Sequence, residues 1–235
     1  MNTKFSNALI TKKLAGFIPV IPDIKCTSPK EGDLLRGRNP VDAARLLAAA
    51  GAPAISVVTE PKNFGGSIEL LEQIAAETKL PVLRKDFITC VDDLKITKAA
   101  GAEAILLICA VQPLPVLLKL YEEALKIGLE PLVEAHTREE LIQAGKIGAK
   151  LVGINNRNIL ELEKDAGTVS ATELLAQYKP KNAILISESS IRTPAEARAA
   201  IHAGADAVLI GTAIWQAENM GEYYQALSKG MGENK

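Results

Sequence analysis

Four times along the chain an Ala-rich segment runs into a glycine and then into a short, almost wholly apolar stretch. The copies are "AAAGAPAISVV", "KAAGAEAILLI", "GKIGAKLVGI" and "HAGADAVLI". Their glycines, Gly51, Gly101, Gly148 and Gly204, stand 50, 47 and 56 residues apart. Each copy reads as a helix that stops at a residue able to take the left-handed conformation, followed at once by a strand. Strands without polar alternation are buried on both faces, as a parallel sheet covered by helices requires. Four further strand candidates lie between the copies: "FIPVIPDIK" at the start, "PVLRKD" from Pro81, "EPLVEA" from Glu130 and "AILISES" from Ala183.

Eight strands alternating with helices in 235 residues leave about 29 residues per unit, a compact α/β (β/α)8 TIM barrel in which the long interval is two units. The expectation is a single domain over residues 1–235, with residues 1–16 a short N-terminal extension. An open doubly wound sheet is the runner-up. It is disfavoured because the repeat runs to the end of the chain and no G-x-G-x-x-G fingerprint occurs.

Composition removes several function classes. A net charge of −1 gives no field to attract nucleic acid or an anionic membrane, so an anionic ligand must be held locally. No apolar run reaches the roughly 18 residues of a membrane span, and the N-terminus lacks a signal-peptide core. Cys26, Cys90 and Cys109 are widely spaced, without a C-x-x-C pair, which predicts a reducing, cytoplasmic setting and no disulfide framework. With two histidines and no ligand-like spacing, no metal site is expected.

In a barrel the chemistry sits where strands end. Strand 1 ends in Asp23 and Lys25, strand 3 in Lys85 and Asp86, strand 5 in Glu134, strand 6 in Asn155 and Arg157, and strand 7 in Ser187, Glu188 and Ser189. Residues two apart on a strand face one side, so Asp23 and Lys25 point together toward the mouth. Taken singly, such charges can be strand caps paired with one another. Gathering several at one mouth costs several kcal/mol per ion unless each is paired, which favours a polar site. After strands 7 and 8 come "SESSIRT" and "LIGTAIW", the place where many barrels bind phosphate through backbone N–H groups and a short helix. Gly211 and Thr212 suit that role, and Ser28 can add a hydroxyl. Gly65-Gly66 reads as a plain turn or a phosphate loop.

The motifs "IPDIKCTSP", "LRKDFI", "LVEAHTREEL", "GINNRN", "SESSIRT" and "GADAVLIGTA", in this order, make the chain similar to the indole-3-glycerol phosphate synthase family from Phe17 to about Met220. The resemblance implies a cofactor-free closure of 1-(2-carboxyphenylamino)-1-deoxyribulose 5-phosphate to an indole, with loss of CO2 and water, in tryptophan biosynthesis. It implies Lys85 as general acid, Glu134 as base, and Lys25 at the substrate carboxylate. Asp23, Asn155, Glu188 and Ser189 match further catalytic positions. Arg157 and Phe87 match substrate contacts, and Ser28, Ser190, Gly211 and Thr212 match phosphate contacts. A small-molecule phosphosugar is the implied partner, in a monomer or homodimer that can associate with other tryptophan-pathway enzymes.

Four departures from the family pattern stand out. The segment before strand 1 is short, so a cover over the mouth is expected to be short or absent, and Leu47 lies near the place of an expected tyrosine. "SESSI" replaces "SESGI", putting a Cβ on Ser190 where glycine permits unusual dihedrals. Asp23 stands where the family has Glu, one methylene longer. Other chemistries use the same architecture. A Schiff-base aldolase would employ Lys85 as nucleophile, although the neighbouring Asp86 favours a charged ammonium. A phosphoribosylanthranilate isomerase-like reaction wants a Cys/Asp pair that Asp23 and Cys26 match poorly. A sugar-phosphate-binding barrel without catalysis is the third alternative.

Overall fold

The structure, a computed structural model, describes residues 4–162 and 167–230. Eight parallel strands close into a barrel in chain order: β1 Val20–Ile24, β2 Ile55–Val58, β3 Val82–Lys85, β4 Ala104–Ile108, β5 Glu130–Ala135, β6 Leu151–Asn155, β7 Ile184–Glu188 and β8 Ala207–Ile210. Between β1 and the first outer helix, Thr27–Ser28 pairs antiparallel with Gly32–Asp33. The helices are α1 Lys4–Leu14, α2 Pro40–Ala49, α3 Pro61–Phe64, α4 Ile68–Thr78, α5 Val91–Ala99, α6 Leu114–Lys126, α7 Arg138–Lys146, α8 Ser170–Leu175, α9 Pro194–His202, α10 Thr212–Gln216 and α11 Met220–Ser228.

The Gly-Ala repeat is a helix-closing device. At the end of α2, Gly51 N–H donates to the Ala48 carbonyl at 3.0 Å and Ala52 N–H to the Leu47 carbonyl at 3.1 Å, the two bonds of a Schellman closure. The same pair recurs at Gly101-Ala102, Gly148-Ala149 and Gly204-Ala205. All four glycines have φ between 76° and 108°, where any Cβ is costly. Each following Ala is buried because it turns under the helix to start the approach to the barrel. A fifth closure, Gly128-Leu129 after α6, is identical in its bonds and carries Leu in the Ala position, so the Gly-Ala pattern does not find it.

Strand alternation separates two cores. Outward residues such as Val20, Val57, Val82, Leu107, Val133, Val152, Leu185 and Val208 pack under the helices. Inward residues Ile21, Leu83, Leu106, Leu132, Leu151, Ile186 and Leu209 fill the barrel. Helix α1 closes that inner core at the N-terminal ends of the strands, with Phe5 and Leu9 both buried in it. Its placement is fixed by Ser6 N–H donating to Glu130 Oε2 at 3.0 Å and by Lys4–Glu103 and Lys13–Asp206 ion pairs at 3.3 and 2.6 Å. The first of these satisfies an orphan helix-start donor in a buried place, whereas the exposed pairs contribute little. The N-terminal segment is therefore a plug at the end of the barrel opposite the mouth.

Candidate active site

The inward parity that places Ile21 and Leu83 in the barrel continues upward to Asp23 and Lys25 on β1 and to Lys85 on β3. It does the same for Glu134 on β5, Asn155 on β6 and Glu188 on β7. Asp23, Lys25, Glu134, Asn155, Arg157 and Glu188 are all buried. A cavity of about 270 Å³ opens at this end, lined by Asp23, Lys25, Lys85, Arg157, Ser189, Ser190, Gly211 and Thr212, with Lys30, Glu31, Arg192 and Gln216 at its edge. A second, mainly apolar recess adjoins it, lined by Val58, Phe64, Phe87, Leu106, Ile108 and Ile159 with Glu60 and Asp86, and it shares Lys25 and Lys85 with the first. About 20 Å³ of it is open. Lys25 Nζ stands 5.6 Å from the centre of the Phe64 ring, within cation–π range. The two lysines thus mark the seam between a polar half and a mainly apolar half.

Most residues expected from the sequence converge here, but not all in the expected way. Asp86 is turned outward. Its carboxylate accepts from Arg84 Nη2 at 2.9 Å, Thr59 Oγ1 at 2.6 Å and Phe87 N–H at 2.8 Å. Arg84, buried on the outer face, also donates to Thr97 Oγ1 and the Asp93 carbonyl. Asp86 is therefore the ion-pair partner of Arg84. Ser187 likewise faces outward, bonded to Thr172 Oγ1 at 2.7 Å and Asn156 Nδ2 at 3.0 Å. Ser28 does not line the cavity; its Oγ accepts from the N–H groups of Lys30 and Glu31 at 3.4 Å each, shaping the turn that brings those two residues to the rim. Gly65-Gly66 is a turn. Gly65 ends α3 at φ 65°, and a Cβ on Gly66 would stand 2.1 Å from the Val58 carbonyl oxygen.

Close approach dictates two other glycines. A Cβ on Gly153 would lie 1.9 Å from Glu188 Oε1, so the Glu188 side chain lies across β6 only because that residue is glycine. A Cβ on Gly211 would lie 3.2 Å from the Asp23 Cβ, where β8 meets β1. Helix α10 is tied to the same strand through Trp215 Nε1, which donates to the Asp23 carbonyl at 3.0 Å. Arg38 stacks on the Trp215 ring at 5.3 Å and donates to the Trp215 carbonyl.

Some polar groups at the mouth hold one another in place, and others, at Asp23 and Asn155, are buried without a hydrogen-bond partner among the described residues. Asn155 Oδ1 accepts from Arg157 N–H at 3.0 Å, while its Nδ2 and Asp23 Oδ1 are buried with no hydrogen-bond partner among the described residues, a costly state in a finished core. Asn156, unremarked in the sequence, is the clamp of this side: Nδ2 donates to Ser187 Oγ and to the Glu188 and Ser189 carbonyls, and Oδ1 accepts from Thr172 N–H and Oγ1. Under that clamp Ser189 and Ser190 both take left-handed φ, 64° and 57°, each at a cost of about 1–2 kcal/mol. Arg157 Nε donates to Ser190 Oγ at 3.1 Å.

His136 is a second residue that the sequence reading passed over. Its Nε2 stands 3.5 Å from Glu134 Oε1 and its Nδ1 3.4 Å from Glu140 Oε2. Burial pulls the imidazole down, but Glu140 and Glu134 outweigh burial and an opposing Lys85, so its pKa is raised. Burial pushes Glu140 up, and the His136 ring and backbone overcome it, lowering Glu140. The signal was available: "EAHTREE" places the imidazole two residues beyond Glu134 on the same side. Among the described residues no cluster of three or more His, Cys, Asp and Glu could hold a metal ion. No helix of the described residues is long and apolar enough to cross a membrane.

Solved structures with the same architecture include a thiamine phosphate pyrophosphorylase from Pyrococcus furiosus, at a TM-score of 0.63 and 18% identity over 89% of this chain and 93% of that one. An orotidine 5'-phosphate decarboxylase from Pyrococcus horikoshii aligns at 0.67 and 14%, over 88% and 96%. At those identities the likeness speaks for the fold alone. Sequence relatives are far more similar. Proteins named indole-3-glycerol phosphate synthase from Pyrococcus furiosus and Thermococcus kodakarensis are 46% and 44% identical, over 87% and 88% of this chain and 89% and 91% of theirs. One from Listeria monocytogenes is 44% identical over 83% of this chain and 76% of its own length. The model of the family described as indole-3-glycerol phosphate synthase matches residues 1–227, and with the mouth built as above the chain belongs to that family.

Proposed function

We propose the following division of labour at this mouth for the family's reaction, the closure of 1-(2-carboxyphenylamino)-1-deoxyribulose 5-phosphate to indole-3-glycerol phosphate. The single observation that carries it is the seam. The substrate has a phosphate at one end and an aromatic ring at the other, and Lys25 and Lys85 are the cations shared by the polar cavity and the apolar recess. The phosphate enters the polar half against Gly211, Thr212 and Ser190, with Lys30 and Arg192 at the edge of that cavity adding positive charge. The ring enters the apolar half, displacing the half-buried Phe87 side chain to widen it. The ketone then lies at the lysines.

Lys85 donates a proton to the ketone oxygen as the carboxylate-bearing ring carbon bonds to the carbonyl carbon, and Lys25 pairs with that carboxylate until CO2 leaves. The hydroxyl of the resulting alcohol then leaves as water, taking a second proton from Lys85 once solvent has reprotonated it, and Glu134 takes the ring-carbon proton whose loss completes the pyrrole ring. Asn155 Nδ2 and Asp23 supply polar contacts left unmet by the protein, Glu188 and Ser189 border the reacting centre, and Arg157 meets an anionic group of the substrate. The three free thiols, Cys26, Cys90 and Cys109, suit a reducing cytoplasmic setting.

The test is indole fluorescence from the carboxyphenylamino-deoxyribulose phosphate, with wild type beside Glu134→Gln and a borohydride control. Wild type forms indole, Glu134→Gln falls about 10²–10⁴-fold, and borohydride traps no adduct. An inactive wild type, full activity without the Glu134 carboxylate, or a reduced Lys85 adduct would each contradict this assignment.

A further inference from the structure

The turn after β7 contains the costliest backbone of the site. Ser189 and Ser190 are consecutive, neither is glycine, and both are left-handed. Such strain persists where surrounding contacts over-determine it, and here they do: Asn156 Nδ2 grips the carbonyls of Glu188 and Ser189 from below. From above, Gly167 lies so close that a Cβ on it would stand 2.2 Å from Ser190 Oγ and 2.7 Å from Arg157 Cγ. What a glycine at 190 would relieve in strain, it would remove in chemistry, because Ser190 Oγ is the acceptor of the Arg157 Nε–H bond.

We propose that Ser190 is a positioning residue for Arg157: its hydroxyl fixes the guanidinium at the phosphate-side cavity, and the left-handed strain at this position is kept for the sake of that bond. A guanidinium held at Nε cannot turn about its last side-chain bond, so its planar fork is presented in one orientation. The Ser190 hydroxyl accepts from Arg157 and retains its own proton to donate, giving a chain from guanidinium through hydroxyl to an anion, each bond polarising the next. Both residues line the same cavity. The inference rests on Arg157 meeting the substrate, as proposed above.

The test compares Ser190→Gly, Ser190→Ala, Arg157→Ala and the double variant Ser190→Gly/Arg157→Ala. Three quantities are read: KM and kcat with the carboxyphenylamino-deoxyribulose phosphate, competitive inhibition by inorganic phosphate, and Tm. Ser190→Gly and Ser190→Ala each raise KM and the phosphate inhibition constant about tenfold, with a smaller effect on kcat. Their stabilities diverge: Ser190→Gly gains about 2–4 °C in Tm, and Ser190→Ala gains nothing because its Cβ remains in the left-handed region. In the Arg157→Ala background, Ser190→Gly changes phosphate inhibition no further, the non-additivity of two groups acting as one. The proposal is overturned if Ser190→Gly leaves KM and phosphate inhibition at wild-type values, or if its effect is equally large without Arg157. Arg157→Ala that leaves both constants unchanged would instead overturn the substrate contact on which the proposal stands.

Discussion

The two ends of this barrel are built from the same eight strands and the same alternation, yet they are opposite in kind. At the N-terminal end Ile21, Leu83, Leu132, Leu151 and Ile186 point inward and Phe5 and Leu9 seal them from below. Two residues further along the same strands the inward positions are Asp23, Lys85, Glu134, Gly153 and Glu188, in a setting almost as dry. Burial of apolar surface below is favourable without further conditions. Burial of charge above is tolerated only with partners, and part of the partnership, at Asp23 Oδ1 and Asn155 Nδ2, is left open. One end supplies stability and the other spends some of it on binding and catalysis.

That contrast can be broken from either side. The largest effect is expected below, where Phe5→Ala opens a cavity in a fully buried place and should cost about 3–5 kcal/mol of stability while KM stays at its wild-type value, as thermal melts and steady-state kinetics will show. At the mouth, Gly153→Ala forces the Glu188 carboxylate aside, and because Glu188 is fully buried it has no solvent to swing into; kcat should fall about 10²-fold. Asp23→Glu carries the carboxylate more than about 1 Å further into the cavity, beside Gly211, where β8 lies too near Asp23 for a Cβ to fit without a shift. The expected loss in kcat/KM is about tenfold, within the cost of such a misplacement, and a large gain in rate would show that the wall adapts.

The smallest effect concerns the Glu134–His136–Glu140 triad. The folded pKa of His136 is raised, so its stabilising contribution is complete below its ordinary value of 6.5 and is lost as pH rises through the raised one. That of Glu140 is lowered, so its contribution is complete above its ordinary value of 4.5 and is lost as pH falls through the lowered one. Unfolding free energies from urea titrations across pH should therefore decline on the alkaline side by about 1 kcal/mol or less in wild type, and His136→Asn should flatten that decline.

How far the sequence was legible follows the same divide between local and distant causes. The barrel could be read because each Gly-Ala junction is closed by bonds within one helix turn, and the inward set at the mouth because strand alternation is local. Asp86 follows the same alternation, outward with Arg84 two residues before it on β3; its second partner, Thr59 beyond the end of the neighbouring β2, has no local sign. The plug formed by α1 was hidden because nothing local says at which end of the barrel a helix will dock. Ser190 was legible as a departure from the family pattern; its bond to Arg157, 33 positions away, was not.

The most direct test of the seam as the reacting centre is to measure kcat and Tm of Lys85→Ala on one preparation. The account predicts that indole formation falls about 10²–10⁴-fold, the range for a lost general acid, while Tm is unchanged or higher because a cation has left a crowded, charged mouth. Wild-type turnover without the Lys85 ammonium, or a loss of activity that merely tracks a loss of folded protein, would contradict it.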